Sequence, residues 1–240
     1  MSVAPTLRIE RQLLRSEATA LACSDEAGRG ALSGPVTVAM VLVTASSPPA
    51  PAGVRDSKLL SAQARDSLVE PIKKWAASWG IGNASAAEID KFGIVPAMRM
   101  AGHRAIAQLT PPPDLILLDG SHDYLTTPEQ DALFGPPPIL EQIPKVRTLV
   151  KADLSCAAVA AASILAKTSR DNQMVALAAD HANFGWEVNK GYASADHMAA
   201  LKRYGPTVHH RVSWRLPQQE NSQPTADTIG DKSTTKDGGR

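Results

Sequence analysis

Short apolar runs that end on acidic residues constrain the fold of this chain more than any other feature. The run LILLD at 115–119 is the kind of continuous apolar stretch that forms a strand in the middle of a sheet. Strands are also predicted at 21–25, at 35–43, where β-branched residues are frequent, and at 79–85. A hairpin through the intervening glycines joins the first two. These runs predict a sheet with a buried centre.

Helical patterns lie between and after these strands. The alanine-rich stretch 155–182 is predicted to form one long helix capped by Ser155, with a small-residue face that can lie close to a sheet. A later helix is predicted from Ser194 as N-cap to a stop at Gly205, where all the boundary signals agree. Further helices are predicted at 61–78 and 86–109. The order of elements favours an α/β fold, a mixed sheet flanked by helices with a C-terminal helical extension.

Length and composition suit one sizeable domain with appendages. With 240 residues, 43% of them hydrophobic, the chain can bury a substantial core. We expect an N-terminal extension at 1–19, the main domain at 20–216 and a disordered tail at 217–240, where apolar residues are almost absent. The proline-rich segment 121–144 is predicted to be a surface loop.

Composition also excludes several classes of protein. The chain has no apolar run long enough for a membrane span and no apolar leader, so we expect a cytoplasmic monomer. Cys23 and Cys156 are too few for a disulfide framework and are predicted to be small buried side chains. The net charge of +1 lacks the signature of a strongly basic nucleic-acid binder. Any basic surface must therefore be a local patch.

Four carboxylates are distinguished by their positions at the ends of elements. Asp25 and Glu26 end the first strand, Asp119 ends another, and Asp153 precedes the long helix. Such ends converge at one edge of an α/β sheet, where clustered acids repel one another unless cations bind. Mg²⁺ or Mn²⁺ suits oxygen ligands, and two such ions could activate water and stabilise the leaving oxygen of a phosphodiester. Taken singly, each acid is more simply a turn, cap or solvated residue.

The sequence around these acids resembles that of the ribonuclease HII family. The run DEAGRG at 25–30, followed by GPV at 34–36, is similar to the family signature. Further similar blocks occur in the family's order, namely DSKLLS at 56–61, LLDG at 117–120, VKAD at 150–153, AAASILAKTSRD at 160–171 and the segment 190–214. Several motifs in order are far more specific than one short pattern.

The resemblance implies an RNase H-like fold and an endoribonuclease. Its substrates would be RNA·DNA hybrids and duplex DNA with embedded ribonucleotides, cut on the 5′ side of a ribonucleotide to leave 5′-phosphate and 3′-hydroxyl ends. The implied catalytic and metal-binding residues are Asp25, Glu26, Asp119 and Asp153. The implied reader of the ribose 2′-hydroxyl, acting through closely approaching backbone, is formed by Gly28, Arg29 and Gly30. Tyr192 would pack on the sugar that follows; a tight turn and a core tyrosine are the plainer alternatives.

Basic residues in the matching blocks are candidates for phosphate contacts. They are Lys58, Lys167, Arg170, Lys190 and Arg211. Ser163, Lys167 and Arg170 are spaced to share one helix face and form the best candidate patch, although single lysines are more often simply solvated. His197, His209 and His210 lack metal-ligand spacing, and the sequence assigns them no chemistry.

Departures from the family pattern and alternative functions remain open at this point. Ala152 and Ala193 both stand at positions where the family usually has glycine, and these changes put the local turns in doubt. The acids of the 121–144 loop, Asp123, Glu129, Asp131 and Glu141, are expected to be solvated unless one reaches the metals. The alternatives are a noncatalytic binder of hybrid duplexes and a ribonuclease HIII-like enzyme, for whose extra domain residues 1–19 leave no room. No sliding-clamp motif is assignable in the tail.

Overall fold

One five-stranded mixed sheet forms the centre of the protein. The computed structural model describes residues 4–129, 131 and 135–219. The strands are β1 (Ala20–Ala27), β2 (Val36–Thr44), β3 (Ser78–Ala84), β4 (Leu115–Asp119) and β5 (Lys145–Leu149). They lie in the order β3-β2-β1-β4-β5. The first three strands pair antiparallel, whereas β4 is parallel to both β1 and β5. The predicted mixed sheet is confirmed.

Helices cover both faces of this sheet. They are α1 (Arg8–Ser16), α2 (Ala62–Trp75), α3 (Ala86–Phe92), α4 (Ile94–Ile106), α5 (Ala152–Ser155), α6 (Ala157–Ala178), α7 (Trp186–Asn189) and α8 (Ala195–Tyr204). One face of the sheet packs against α2 and α6, and the opposite face packs against α3 and α4. The C-terminal helices surround Trp186 in a small separate core, which confirms the predicted helical extension. None of the described helices is long and apolar enough to cross a membrane.

Alternation along β1 assigns its side chains to two cores. Leu21 and Cys23 point into the core beside α6, whereas Ala20 and Ala22 point into the core beside α4. Successive residues of a strand face opposite sides of a sheet, so a strand covered on both sides has apolar residues throughout. All the alanines of α6 except Ala176 are buried, and this small-residue face lets the helix lie close to the strands. Cys23 is a free, buried thiol, as predicted, and so is Cys156.

Three expectations about element boundaries were wrong. The strand β5 was missed because its residues are largely exposed at the sheet edge, where Arg147 pairs with Glu17 at 2.5 Å. The single helix expected over 86–109 is broken at Gly93, whose φ of 86° lies outside the helical region. Ser155 ends the short helix α5 and does not cap the long helix, which begins at Ala157 and ends at Ala178.

The N-terminus of α6 is capped from a distant part of the chain. The backbone N–H of Ala158 donates to Glu10 Oε1 of α1 at 2.8 Å, and Ala157 N–H donates to the carbonyl of Thr6 at 3.2 Å. Glu10 is fully buried, and burial raises the pKa of its carboxyl to about 7. Because no local residue supplies the cap, the chain around 155–158 carries no signal of where α6 begins. The 1–19 segment thus contributes directly to the start of α6.

We predict that Glu10→Gln changes how stability depends on pH. The native pKa of about 7 lies above the ordinary value of 4.5, so the folded state binds the proton more tightly than the unfolded chain. The free energy of unfolding of the wild type therefore falls as pH rises from 4.5 to 7. Glutamine keeps the acceptor for Ala158 N–H without the buried charge. Urea titrations should show no difference at pH 4 and a variant more stable by roughly 3 kcal/mol at pH 8.

The exposed Glu70→Gln is the matched control and should show no such pH-dependent difference. Its carboxyl pairs only with Lys73 on the surface of α2. A Glu10→Gln variant whose stability tracks the wild type at every pH would contradict the buried-charge interpretation.

Candidate active site

The parallel pairing of β1 with β4 places two carboxylates side by side. Ser24 pairs with Leu118, so the next residues, Asp25 and Asp119, emerge together at the carboxyl ends of the strands. Both occupy the strand positions that face α6, since Cys23 and Leu117 belong to the core on that side. Asp25 is buried and Asp119 is half-buried. The sequence predicted this convergence correctly.

Asp153 joins them from the short helix α5. The residue before this helix, Lys151, has the left-handed conformation, with φ 59° and ψ 39°. Asp119 Oδ1 accepts a hydrogen bond from Ala152 N–H at 2.7 Å, which fastens the start of α5 to the end of β4. One carboxylate oxygen from each of Asp25, Asp119 and Asp153 lies within 4.8 Å of the other two. The alanine at the family's glycine position therefore leaves this acid in place.

Glu26 lies beside this group of three without being part of it. As the neighbour of Asp25 on a strand, it points toward the opposite face of the sheet. Its Oε1 lies 3.7 Å from Arg29 Nη1, and its side chain is 17% exposed. The structure thus brings together three of the four predicted carboxylates, and the fourth, Glu26, lies beside the group.

The electrostatics of the cluster fit a cation. Burial, followed by the charge of Glu26, raises the pKa of Asp25 to about 8. Burial is also the main cause that raises the pKa values of Glu26 and Asp153, and Asp119 adds to both. Carboxylates that resist ionisation together form an oxygen-rich site that a divalent ion stabilises in its charged form. The donor set therefore fits Mg²⁺ or Mn²⁺.

Lys58 extends over the cluster from a short 3₁₀ turn at Ser57–Leu59. Asp56 caps this turn by accepting a hydrogen bond from Lys58 N–H at 2.9 Å. The Lys58 Nζ lies 3.7 Å from Asp153 Oδ2, and its side chain is 75% exposed. Partial burial opposes its charge, but the carboxylates, Asp56 foremost, outweigh this effect and raise the pKa of Lys58. The turn is also fastened to α6, because Ser57 Oγ and Ser163 Oγ are 2.8 Å apart.

The two glycines of the glycine–arginine–glycine run differ in their surroundings. Gly28 is buried with φ +83°, and a Cβ there would lie 2.3 Å from Arg170 Nε and 2.8 Å from the Pro35 carbonyl oxygen. Gly30 is exposed, and a Cβ there would meet nothing within 4 Å. Close packing inside the protein thus requires glycine at position 28 but does not require it at position 30.

Tyr192 lies along the same face of α6 as Ser163. Its ring is 38% exposed, and Lys167 Nζ and the Arg170 guanidinium lie 5.6 and 5.3 Å from the ring centroid. Lys167 also pairs with Asp171 at 2.7 Å. Ser163 is buried with its Oγ against Ser57, so Lys167 is the partly exposed member of the predicted patch of Ser163, Lys167 and Arg170.

Two of the five basic residues proposed for phosphate contacts are unavailable for them. Arg170 and Arg211 are fully buried and donate hydrogen bonds to backbone carbonyl oxygens. Their sequence motifs did not reveal this, because burial of a guanidinium depends on distant chain segments. The ammonium of Lys190 donates a hydrogen bond to the carbonyl oxygen of Glu187, in the short helix α7 that ends just before Lys190.

Two of the four acids noted in the 121–144 loop have structural partners, whereas Glu129 and Glu141 are exposed, as expected. Asp123 accepts hydrogen bonds from Leu125 and Thr126, and Asp131 pairs with Arg99 at 2.6 Å. Neither belongs to the group of carboxylates that can share a metal ion.

A mixed sheet with clustered carboxylates at the ends of its parallel strands, flanked by helices on both faces, defines an enzyme of the ribonuclease H class. The ribonuclease HII family profile matches residues 22–216. The ribonuclease HII of Streptomyces avermitilis is 44% identical over 219 residues, which cover 89% of this chain and 87% of that protein. The chain belongs to the ribonuclease HII family.

Solved structures of the class have the same fold. Ribonuclease H2 of Pyrococcus horikoshii superposes with a TM-score of 0.62 at 25% identity, covering 82% of this chain and 94% of that one. Ribonuclease HII of Archaeoglobus fulgidus, solved in complex with PCNA, superposes with a TM-score of 0.61 at 26% identity, covering 83% and 97%. The RNase H-like fold is confirmed, and an enzyme is favoured over a noncatalytic binder.

We predict that Gly28→Ala and Gly30→Ala have unequal effects on stability. Alanine at 28 meets a carbonyl oxygen and a buried guanidinium in a left-handed conformation, so it should lower the free energy of unfolding by more than about 2 kcal/mol. Alanine at 30 meets open space and should change it by less than about 0.5 kcal/mol. Urea unfolding of each variant measures the difference. Equal destabilisation by the two substitutions would contradict the distinction.

Proposed function

We propose that this enzyme hydrolyses the phosphodiester on the 5′ side of a ribonucleotide embedded in duplex DNA, and also cuts the RNA strand of RNA·DNA hybrids. The products would carry 5′-phosphate and 3′-hydroxyl ends. The observation that carries the proposal is the approach of Asp25, Asp119 and Asp153 to within 4.8 Å, next to an exposed backbone at Gly30. Reaction centre and ribose contact are then adjacent.

The four acids Asp25, Glu26, Asp119 and Asp153 would hold two divalent ions, Mg²⁺ or Mn²⁺. When bound, such ions supply the Lewis acidity that activates water and offsets charge on the phosphate. The buried position of Asp25 and the hydrogen bond that fastens Asp119 to Ala152 hold the carboxylates in place before substrate arrives. This preorganisation avoids rearrangement at the moment of reaction.

Backbone amides of the 28–30 run are suited to reading the ribose. Among the residues that the structure describes, the N–H groups of Arg29 and Gly30 find no acceptor, and both residues are exposed. The 2′-hydroxyl distinguishes RNA from DNA and can accept such hydrogen bonds. We assign recognition of this hydroxyl to Gly28, Arg29 and Gly30, with Gly28 shaping the turn from within.

The remaining contacts would position the strand on either side of the cut. The exposed Nζ of Lys58 projects beside the acids and suits a phosphate oxygen, and Lys167 with Ser163 extends the same face toward Tyr192. The exposed ring of Tyr192 can pack on a sugar that lacks a 2′-hydroxyl. The site would thereby recognise a ribonucleotide followed by a deoxyribonucleotide.

Asp119→Asn should abolish cleavage while preserving the fold. Asparagine retains an oxygen that accepts from Ala152 N–H but removes the charge that a divalent ion requires. We expect cleavage of a duplex with a single ribonucleotide to fall by more than about 100-fold, with weaker Mn²⁺ binding by calorimetry. The exposed Asp66→Asn, on α2, is the matched control and should cleave normally. Wild-type cleavage by Asp119→Asn would refute the proposed metal site.

Tyr192→Ala should affect the two substrates unequally. Loss of the ring removes a contact worth a few kcal/mol at most, so kcat/KM on the single-ribonucleotide duplex should fall about tenfold or more. A duplex with a continuous RNA strand should be cut with less than about threefold change, because its next sugar is a ribose. Tyr192→Phe keeps the ring and should retain the wild-type ratio between substrates. Equal losses on both substrates would argue against the sugar contact.

A further inference from the structure

The segment Thr207–Arg211 touches both parts of the proposed junction reader, although the proposed function gives it no role. We propose that this segment is a positioning unit. It holds the Gly28–Gly30 loop and the turn of Tyr192 in fixed relation, and so determines the preference for a ribonucleotide–deoxyribonucleotide junction. The inference rests on the proposed function and concerns the placement of its recognition groups.

Arg211 carries the contact with the loop. Its guanidinium donates to the carbonyl oxygens of Gly28 at 2.7 Å, Arg29 at 2.9 Å and Gly34 at 3.1 Å. Within the described part of the chain, no carboxylate lies within 4.0 Å of this guanidinium, which is fully buried. Its charge is therefore balanced mainly by the carbonyl dipoles of the loop, which makes the loop and the arginine interdependent.

These hydrogen bonds orient the amides proposed to face the ribose. In a trans peptide unit the C=O and N–H bonds point in opposite directions. With the carbonyls of Gly28 and Arg29 turned inward to Arg211, the N–H groups of Arg29 and Gly30 must point away from the interior. Arg211 acts on the substrate only through this backbone, and is a positioning residue.

His210 carries the contact with the tyrosine through His197. The backbone N–H of Thr207 donates to His210 Nδ1 at 2.9 Å, so the proton of a neutral His210 lies on Nε2. That Nε2 lies 3.1 Å from His197 Nε2, which also accepts from Trp186 Nε1 at 3.3 Å.

His197 must then carry its proton on Nδ1, which lies 2.8 Å from the carbonyl oxygen of Tyr192 and donates to it. Burial lowers the pKa values of both histidines, that of His210 to about 4, which keeps this arrangement neutral. The backbone N–H of Thr207 and the indole N–H of Trp186 thus define one arrangement of protons along the whole chain of contacts.

The two contacts are joined by a short run of backbone hydrogen bonds. Gly34 N–H donates to the His209 carbonyl at 2.8 Å, and Arg211 N–H donates to the Leu32 carbonyl at 2.9 Å. Leu32 N–H in turn donates to the Gly191 carbonyl at 2.9 Å, one residue before Tyr192. A shift in the 207–211 segment must therefore move both recognition elements. None of these hydrogen bonds involves Asp25, Asp119 or Asp153, so the carboxylate cluster should stay in place.

The test compares two substrates across matched variants of the full-length enzyme. Arg211→Lys keeps the charge but has a single nitrogen in place of the three that bond the separated carbonyl oxygens, and His210→Asn keeps an acceptor for Thr207 while removing the Nε2 donor. For each, kcat and KM are measured on the single-ribonucleotide duplex and on a continuous RNA·DNA hybrid. Val212→Ala, at an exposed side chain directly after this segment, is the control.

We expect the ratio of kcat/KM between the two substrates to fall at least about tenfold in both variants, with unchanged Mn²⁺ affinity and an unchanged ratio in the control. Equal losses on the two substrates, or no loss, would overturn the proposal. Absence of cleavage by the wild type would instead refute the proposed function, and this inference with it.

A measurement on the wild type covers the case in which a variant does not fold. Nitrogen-15 NMR of the imidazole rings reports which nitrogen carries the proton. We expect the Nδ1–H form for His197 and the Nε2–H form for His210. The opposite forms would break the link to Tyr192 and overturn the proposal.

Discussion

The parallel pairing of β1 with β4 is the constraint on which the rest of the site depends. It places the carboxylates of Asp25 and Asp119 next to each other in a partly buried setting, where burial and the neighbouring acids raise the pKa of Asp25. The neighbouring elements accommodate this charge: α5 is fastened to Asp119 and brings Asp153, and Lys58 extends above them from a capped turn. The mutual repulsion of these acids makes the cluster suited to binding a divalent ion.

A second set of charges, of the opposite sign, fixes the backbone of the neighbouring loop. Arg170 and Arg211 are buried cations that bond to carbonyl oxygens of the 28–35 loop and its neighbours, with no close carboxylate within the described residues. Buried charge is costly unless hydrogen bonds compensate it, so the loop cannot relax away from the two arginines. In the proposed function the acids would provide the chemistry, and the arginines would fix the shape of the loop beside them.

Sequence patterns predicted the parts of the fold that depend on local interactions. The boundaries of β4 and α8 were correct because an apolar run and matching cap residues define them. The strand β5 was missed, since an exposed edge strand has little apolar content. The start of α6 was misplaced because its cap, Glu10, lies about 150 residues away, and a distant partner leaves no mark in the local sequence.

For the candidate site, the sequence by itself determined which chemical groups are available: the acids at element ends, the glycine–arginine–glycine run, the tyrosine and the basic residues. Only the tertiary structure decided how each is used. It separated Gly28, where the interior excludes a Cβ, from Gly30, which is open to a substrate. It also showed that Arg170 and Arg211, which the sequence offered as phosphate contacts, are buried in the interior. The physical reason is that burial and hydrogen bonding are set by segments far apart in the chain, which residue type and spacing do not encode.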